Sequence, residues 1–267
     1  MTKTPPFSEP VSDYASAALV SVRPGTTLDT VAQVLEERGI SGVVVIDEGG
    51  ALLGIVSTKD VLRAVELELH PRSPRPVVQP TARTAAEAMR SNPVSIEARA
   101  PVRDAARLMV EHHIHRVVVV DHALPIGVLS TRDVMRAVMR HRVEAPLRSV
   151  MRAPVETIDL GAPVEVAVAH LADANVRGIV VVDGDWPVGV FTHTEAIQAR
   201  ALPRDLLGSP VEDVMSYEIL CLDVATPLYR VAGHAVAMNV RRVLAVESRR
   251  LRGIATGFDL ARFAAGE

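Results

Sequence analysis

The sequence contains a single cysteine, Cys221, among its 267 residues. One cysteine excludes an internal disulfide and any zinc site built from several cysteines, and its apolar neighbours indicate a small buried side chain. Aromatic residues make up only 3% of the chain, which argues against the stacking surfaces of nucleic-acid binders. The net charge of -3 likewise offers no basic field for nucleic acid.

Lysine is also scarce, because only Lys3 and Lys59 occur and arginine supplies the other basic side chains; arginine suits phosphate recognition. The N-terminus lacks an apolar signal core, and no apolar run reaches membrane-spanning length. We therefore expect a soluble, cytoplasmic protein with no membrane partner. The 48% hydrophobic and 23% charged residues are typical of a globular protein of about two domains.

One seven-residue pattern, G-h-h-[ST]-x-x-[DE] (h, apolar), occurs four times. We call its copies the GSD segments: Gly54–Asp60, Gly127–Asp133, Gly189–Glu195 and Gly253–Asp259. Upstream of each stands an acid that closes a valine-rich run: Asp47, Asp121, Asp183 and Glu247. Short β-branched runs bounded by turn residues predict buried strands, and each GSD segment begins a second strand.

An amphipathic helix is predicted before each valine-rich run, and a second helix after each GSD segment. The first helix opens with Pro101, Pro163 or Pro227 in three repeats, at a position that tolerates proline. Its four ends align at residue types that tolerate the left-handed conformation: Gly39, His113, Asn175 and Asn239. The sequence thus predicts an α/β fold of four strand–helix–strand–strand–helix repeats, each too small to fold alone.

We place the repeats at residues 11–66, 84–140, 147–200 and 209–264, with a proline-rich linker at 67–83. Glycine starts the valine-rich strand in repeats 1 and 3 (Gly42, Gly178), whereas arginine stands there in repeats 2 and 4 (Arg116, Arg242). This alternation predicts that repeat 1 pairs with repeat 2, and repeat 3 with repeat 4.

Two interpretations of the GSD segments remain open on the residues alone. A hydroxyl followed three residues later by an acid forms a helix capping box. The same helix N-terminus suits phosphate, and the carboxylate can accept hydrogen bonds from a ribose diol while glycine permits close approach. Capping does not explain the preceding glycine or the acid-ended valine strand, whose joint recurrence favours a ligand.

A strand of the type IHRVVVVD followed by G-h-h-[ST]-x-x-D resembles the cystathionine β-synthase (CBS) domain family, as does the VM-x-x-PV pattern of Val150, Met151, Pro154 and Val155. The resemblance covers nearly the whole chain. It implies four β-α-β-β-α repeats that pair into two pseudo-two-fold (Bateman) modules, which can assemble into a disc. It also implies clefts for AMP, ADP, ATP or another adenosyl compound, with Mg²⁺ as a companion ion and no obligatory cofactor.

In the resembling family each cleft is built crosswise by two repeats. Carried over, the ribose-binding residues are Ser57, Asp60, Ser130, Asp133, Thr256 and Asp259. The base-side and phosphate-side candidates are Ile40, Ser41, Ile114, His115, Arg116, Val176, Arg177, Arg241 and Arg242, together with the Pro93–Val94 region. In the copy of repeat 3 the corresponding residues are Thr192 and Glu195, with glutamate in place of aspartate. This copy is expected to retain the helix cap and to have lost the ligand.

No Walker, Rossmann, zinc-protease or nucleophile-elbow motif occurs, and four repeats account for the chain. His112, His113 and His115 suggest metal ligation, but no acid or cysteine joins them in sequence, so we expect no metal. We predict a non-enzymatic sensor that signals to a regulated protein, as a monomer with an internal disc or as a homodimer. The alternative is a structural scaffold with vestigial clefts; a nucleic-acid binder is disfavoured.

Overall fold

The computed structural model of the chain describes residues 6–16, 19–66, 84–173, 176, 178–200 and 208–267. The predicted linker at 67–83 lies outside these ranges, as do Asn175 and Arg177. Within the described part of the chain, every helix is too short or too polar to cross a lipid bilayer.

Repeats 1 and 2 both have the predicted order of strand, helix, two strands and helix. Repeat 1 consists of β1 (Ser21–Val22), α1 (Leu28–Glu37), β2 (Gly42–Ile46), β3 (Leu52–Ser57) and α2 (Thr58–Glu66). Repeat 2 opens with α3 (Ala85–Ala88) and β4 (Arg90–Ser91), then has β5 (Ser95–Glu97), α4 (Val102–Glu111), β6 (Arg116–Asp121), β7 (Leu124–Ser130) and α5 (Thr131–Arg140).

Repeats 3 and 4 have the same order. Repeat 3 consists of β8 (Thr157–Asp159), α6 (Val164–Asp173), β9 (Gly178–Asp183), β10 (Trp186–Thr192) and α7 (His193–Arg200). Repeat 4 consists of β11 (Cys221–Asp223), α8 (Leu228–Ala237), β12 (Arg242–Glu247), β13 (Arg250–Thr256) and α9 (Gly257–Ala265). In every repeat the valine-rich strand (β2, β6, β9 or β12) runs parallel to the strand before it (β1, β5, β8 or β11). It pairs antiparallel with the strand after it (β3, β7, β10 or β13).

In repeats 1, 2 and 4 the helix before the valine-rich strand ends as the sequence predicts. Gly39, His113 and Asn239 all have positive φ, at +59°, +51° and +57°. Glycine, histidine and asparagine tolerate this left-handed conformation better than most residues, so one backbone geometry accepts three residue types. The prolines differ slightly from expectation: Pro101 and Pro227 are N-cap residues, one position before the first helical residue. An extended φ near -65° suits proline there as well.

The valine-rich strands are apolar throughout because both of their faces are buried. On β2, Val43 and Val45 pack against helix α1, whereas Val44 packs against Val118 and Val120 of repeat 2. Alternate residues of a strand point to opposite faces. Val43 and Val45 therefore contact the helix of their own repeat, and Val44 contacts the paired repeat.

The second pair of repeats uses the same alternation. On β9, Ile179 and Val181 join the cluster formed with helix α6, which also contains Phe191. Val180 between them packs against Leu244 of β12. A one-residue shift in either strand would exchange the helix-facing and sheet-facing residues, so the valine run also sets the register.

A short helical turn precedes the first strand of each repeat, which the sequence pattern did not reveal. These turns are Val11–Asp13, Ala85–Ala88, Leu147–Ser149 and Val211–Asp213. Each buries one apolar side chain completely: Val11, Ala85, Leu147 and Val211. We call the residue before this turn, the turn itself and the residues that follow it, up to strand β1, β5, β8 or β11, the opening of the repeat; β4 thus lies within the opening of repeat 2.

The openings are exchanged between paired repeats, and this exchange confirms the predicted pairing. Isolated β-bridges join the opening of each repeat to the start of its partner's first helix: Pro10 to Pro101, Thr84 to Thr27, Pro146 to Pro227 and Pro210 to Pro163. The exchange is reciprocal in both pairs, because each repeat both gives and receives an opening. Repeat 1 therefore pairs with repeat 2, and repeat 3 with repeat 4.

The contacts divide the chain into two compact units: the first is Ser8–Ser130, and the second is Thr131–Glu267 together with Phe7. Helix α5 thus belongs by sequence to repeat 2 but packs within the second unit against α8 and α9. Its apolar face is extensive, since Val134, Met135, Ala137 and Val138 are buried.

Candidate ligand-binding site

The GSD segments form helix caps in the structure. In the segments of repeats 1, 3 and 4, the backbone N–H of the hydroxyl residue donates to the acid three positions later. These N–H to carboxylate bonds measure 2.9 Å for Ser57 and Asp60, 2.8 Å for Thr192 and Glu195, and 2.7 Å for Thr256 and Asp259. The capping interpretation is therefore confirmed for these copies, including the glutamate copy.

The hydroxyl of each segment also contacts its acid. Thr256 Oγ1 donates to Asp259 Oδ2 over 2.7 Å, and Ser57 Oγ donates to Asp60 Oδ2 in the same way. Both hydrogen bonds of the segment thus converge on one carboxylate oxygen. The other oxygen, Oδ1, is left for groups outside the segment.

The aspartates of the GSD segments are buried although they carry charge. Asp133 and Asp259 are each 4% exposed and Asp60 is 9% exposed. A capping carboxylate gains its hydrogen bonds equally well at the surface, and a charge is buried at a cost unless it is paired. Burial of these acids therefore indicates a role beyond the cap itself.

The glycine of each GSD segment packs against the opening of the paired repeat. A methyl group at Gly54 would lie 2.6 Å from Met89 Sδ, and one at Gly253 would lie 2.8 Å from Met151 Sδ. Gly127 meets the backbone of Ser16 in the same manner. Real Cβ atoms do not approach this closely, so the exchanged opening requires glycine here.

The opening places an arginine beside the carboxylate in one GSD segment of each pair. Arg90 Nε lies 3.6 Å from Asp60 Oδ1, and Arg152 Nε lies 2.9 Å from Asp259 Oδ1. Sequence analysis missed both arginines. The available signal was the repeated Met-Arg of residues 89–90 and 151–152, which aligns with Met215-Ser216 in repeat 4.

Two of the predicted crosswise residues meet in the first pair. Arg116 of repeat 2 donates from Nη2 to Ser41 Oγ of repeat 1. A methyl group at Gly42 would lie 2.9 Å from Arg116 Nη1, so the glycine leaves room for the guanidinium. The alternation of glycine and arginine thus has a physical cause in this pair: one repeat supplies the side chain and the other the space.

Other predicted base-side residues pack on their own repeats. Ile40 is partly buried against the core beneath α1, and Val176 against the core beneath α6. The N–H of Ile40 donates to Leu35 O over 3.0 Å, which attaches this residue to the C-terminal end of α1. Ile114 occupies the equivalent place, with its N–H donating to Met109 O over 2.9 Å.

Further predicted residues lie at the starts of the valine-rich strands, at the end of β7 (Ser130) or within α5 (Asp133). His115 and Arg242 are half-buried and Arg241 is exposed. Asp133 forms an ion pair with Arg136, one turn along α5. No group of three His, Cys, Asp or Glu side chains among the described residues is arranged to hold a metal ion.

Comparison with known proteins identifies the repeats. Residues 11–67, 85–140 and 147–202 each match the family model described as CBS domain. The chain belongs to the CBS domain family. The fourth CBS repeat, β11 to α9, lies outside the matched segments but has the same order of elements and exchanges its opening with repeat 3.

Relatives of this CBS protein differ in length. The uncharacterized protein MJ1404 from Methanocaldococcus jannaschii is 22% identical over 278 aligned positions, which cover 97% of this chain and 62% of the relative. The chain thus spans less than two thirds of that protein. The chloroplastic CBS domain-containing protein CBSX2 of Arabidopsis thaliana is 28% identical over 142 positions, covering 46% of this chain and 60% of that protein.

Two solved structures match nearly the whole chain. Protein MJ1225 from Methanocaldococcus jannaschii has a TM-score of 0.75 at 18% identity, covering 95% of this chain and 99% of that chain. An uncharacterized conserved protein from Pyrococcus horikoshii gives 0.69 at 18% identity, covering 96% and 99%. These similarities show that the chain shares its fold with both proteins over nearly its whole length.

A separate hollow of about 440 Å³ opens on CBS repeat 3. Its lining includes Trp186, Tyr217 and Asp183. Trp186, Pro187 and Val188 of β10 line the hollow, and the GSD segment of this repeat begins at the next residue, Gly189. None of the predicted ligand residues lines it.

Proposed function

We propose that this CBS protein is a non-catalytic sensor that binds AMP, ADP, ATP or a related adenosyl compound at its GSD segments. The observation that carries the proposal is the burial of Asp60, Asp133 and Asp259 in the first turns of helices. A helix N-terminus with a buried carboxylate offers partial positive charge for phosphate and an acceptor for a ribose diol. Family membership supports the same ligand class.

Arginine and histidine at the starts of the valine-rich strands supply the phosphate side of the proposal. Arg116 is held against Ser41 of the paired repeat, and His115 precedes it. Arginine recognises phosphate through several donors and stays protonated, so it suits a site for nucleotides of differing phosphate number. Mg²⁺ would accompany ADP or ATP.

Signalling to a regulated protein requires that the ligand bind two shapes of a repeat pair unequally. The exchanged openings supply a route for such a difference, because Arg90 and Arg152 connect one repeat's opening to the other's carboxylate. A ligand that displaces either arginine also disturbs the opening from which it comes.

The proposal is tested by thermal unfolding of the full chain with AMP, ADP and ATP, each with and without Mg²⁺. A ligand that binds only the native state stabilises it, by about 2.7 kcal/mol at a hundred times Kd. We expect at least one nucleotide to raise Tm, and Asp133→Asn to remove most of that rise. Inorganic phosphate and guanosine serve as controls for charge and for the base.

A scaffold with vestigial clefts is the second candidate, favoured by the ion pairs that already occupy Asp60 and Asp259. Absence of any Tm shift at millimolar adenosyl compound would support the scaffold and contradict the sensor. A shift of equal size in the Asp133→Asn protein would assign Asp133 to capping alone.

A further inference from the structure

The arginines of the openings occupy equivalent places in the two repeat pairs. Arg90 pairs in β-register with Ile55, the residue after Gly54. Arg152 forms the same antiparallel bridge with Ile254, the residue after Gly253. Both side chains therefore start from one point of the fold and extend to the acid of the GSD segment against which the opening packs.

Each arginine contacts the carboxylate oxygen that the cap does not use. At Asp259, Oδ2 accepts from the N–H and hydroxyl of Thr256, both at 2.7 Å. Oδ1 faces Arg152 Nε at 2.9 Å. At Asp60 the division is the same, with Oδ2 bound to Ser57 and Oδ1 facing Arg90.

A ribose bound by either aspartate needs an acceptor oxygen, and Oδ1 is the oxygen that the guanidinium contacts. The arginines are able to move away, because their side chains are 56% and 61% exposed whereas the carboxylates are 9% and 3% exposed. A neutral nucleoside that displaces the guanidinium leaves it without its carboxylate. A nucleotide carries a phosphate that accepts the displaced guanidinium in a charge-assisted bond.

We propose that Arg90 and Arg152 are specificity-determining residues that favour nucleoside phosphates over neutral nucleosides at Asp60 and Asp259. This inference rests on the proposed adenosyl-binding function. It makes the two GSD segments of each pair unequal, because Ser16 and Ser216 stand at the equivalent positions of the other two openings. A serine there cannot form the ion pair.

Isothermal titration of the full chain with AMP and with adenosine tests the inference. The variants are Arg90→Gln, Arg152→Gln and the double variant; glutamine keeps much of the stem and removes the charge. Arg250→Gln is the control, because Arg250 Nε lies 3.0 Å from Asp185 Oδ2 in an ion pair between two exposed side chains.

We expect the double variant to bind adenosine more tightly and AMP no more tightly than the natural protein. The preference for AMP should fall by about tenfold, the size of one hydrogen bond to a charged group. A general change in packing would alter both ligands together and leave their ratio unchanged. Arg250→Gln should leave both affinities and their ratio as they are.

The outcomes separate the two proposals. If the natural protein binds AMP and the ratio is the same in the double variant, the arginine inference is wrong and the sensor proposal stands. If neither protein binds any adenosyl compound, both fail. Binding of adenosine that emerges only in the double variant supports the inference. If one single variant fails to fold, the other pair of repeats provides the same test.

Discussion

Arg152 Nε lies 2.9 Å from Asp259 Oδ1, although the two residues belong to different repeats and are far apart in sequence. Arg90 and Asp60 form the corresponding contact in the first pair, at 3.6 Å. The same relationship in two separate pairs follows from one construction: the opening of a repeat crosses its partner at the glycine of the GSD segment. The arginine that follows the methionine packed on this glycine then reaches the acid of the segment.

Removal of the Asp259 charge is expected to destabilise the second unit. Asp259→Asn replaces a carboxylate that accepts two capping hydrogen bonds and an ion pair, so we expect the free energy of unfolding to fall by about 1–3 kcal/mol. Urea unfolding monitored by circular dichroism measures this change. The matched control Asp185→Asn removes an exposed ion pair and should change it by about 0.5 kcal/mol or less. Equal losses in both variants would show that the cap adds nothing.

Gly253→Ala tests the close approach of the exchanged opening. Its methyl group would lie 2.8 Å from Met151 Sδ and 2.9 Å from the carbonyl oxygen of Arg152, and the backbone atom has little freedom to move. We expect a loss of about 1–3 kcal/mol in the same unfolding measurement. Gly208→Ala is the control, since none of the residues that the structure describes has an atom within 4 Å of the added methyl group. A Gly253→Ala protein as stable as the control would contradict the described packing.

The left-handed helix end in repeat 1 predicts an order of tolerated residues. Gly39 has φ of +59°, and Asn239 occupies the equivalent position at +57°. Gly39→Asn should therefore cost about 1 kcal/mol or less, whereas the β-branched Gly39→Val should cost about 1–2 kcal/mol more. Thermal unfolding of the two variants side by side gives the difference. Equal melting temperatures would mean that the helix end relaxes out of the left-handed region.

The thiol of Cys221 should react slowly and contribute to the pH dependence of stability. Burial raises the pKa of this thiol, so the folded state holds the proton to higher pH than the unfolded state. The unfolded state then gains thiolate first, and stability falls as pH rises above about 9. Alkylation by iodoacetamide should be slower in the native than in the unfolded protein. Cys221→Ala should show a shallower loss of stability above that pH, and parallel curves would contradict this assignment.

The sequence predicted the parts of this fold that repeat within a short stretch of chain. The valine-rich strands, the helices between them and the left-handed ends at Gly39, His113 and Asn239 follow from local periodicity and backbone preference. The pairing of repeats followed from the alternation of glycine and arginine at the strand starts. Gly42 and Arg116, one residue of each type, are in contact in the first pair.

The openings could not be predicted in the same way. Val11–Asp13 and Val211–Asp213 are three-residue turns, too short to show a period, and what they contact is distant in sequence. The Met-Arg of residues 89–90 is visible in the sequence, but its contact with Asp60 depends on how the opening crosses the partner repeat. For the same reason the GSD glycines were interpreted as sites of ligand approach, whereas the structure places Met89 and Met151 against two of them.

The reciprocal exchange also means that some openings are synthesised before the repeat that they contact. Ser16 in the opening of repeat 1 donates its backbone N–H to Val128 on the last strand of repeat 2, over 3.3 Å. Repeat 1 therefore leaves the ribosome long before the strand that receives its opening has been made, and such distant contacts form slowly. The opening of repeat 1 therefore lacks this contact until the chain has grown by 112 residues beyond Ser16. The opening of repeat 3 is in the same position, because Pro146 and Arg152 bridge to Pro227 and Ile254 of repeat 4. Pausing or chaperone binding during synthesis would therefore act on repeats 1 and 3, whereas the openings of repeats 2 and 4 meet partners that have already been translated.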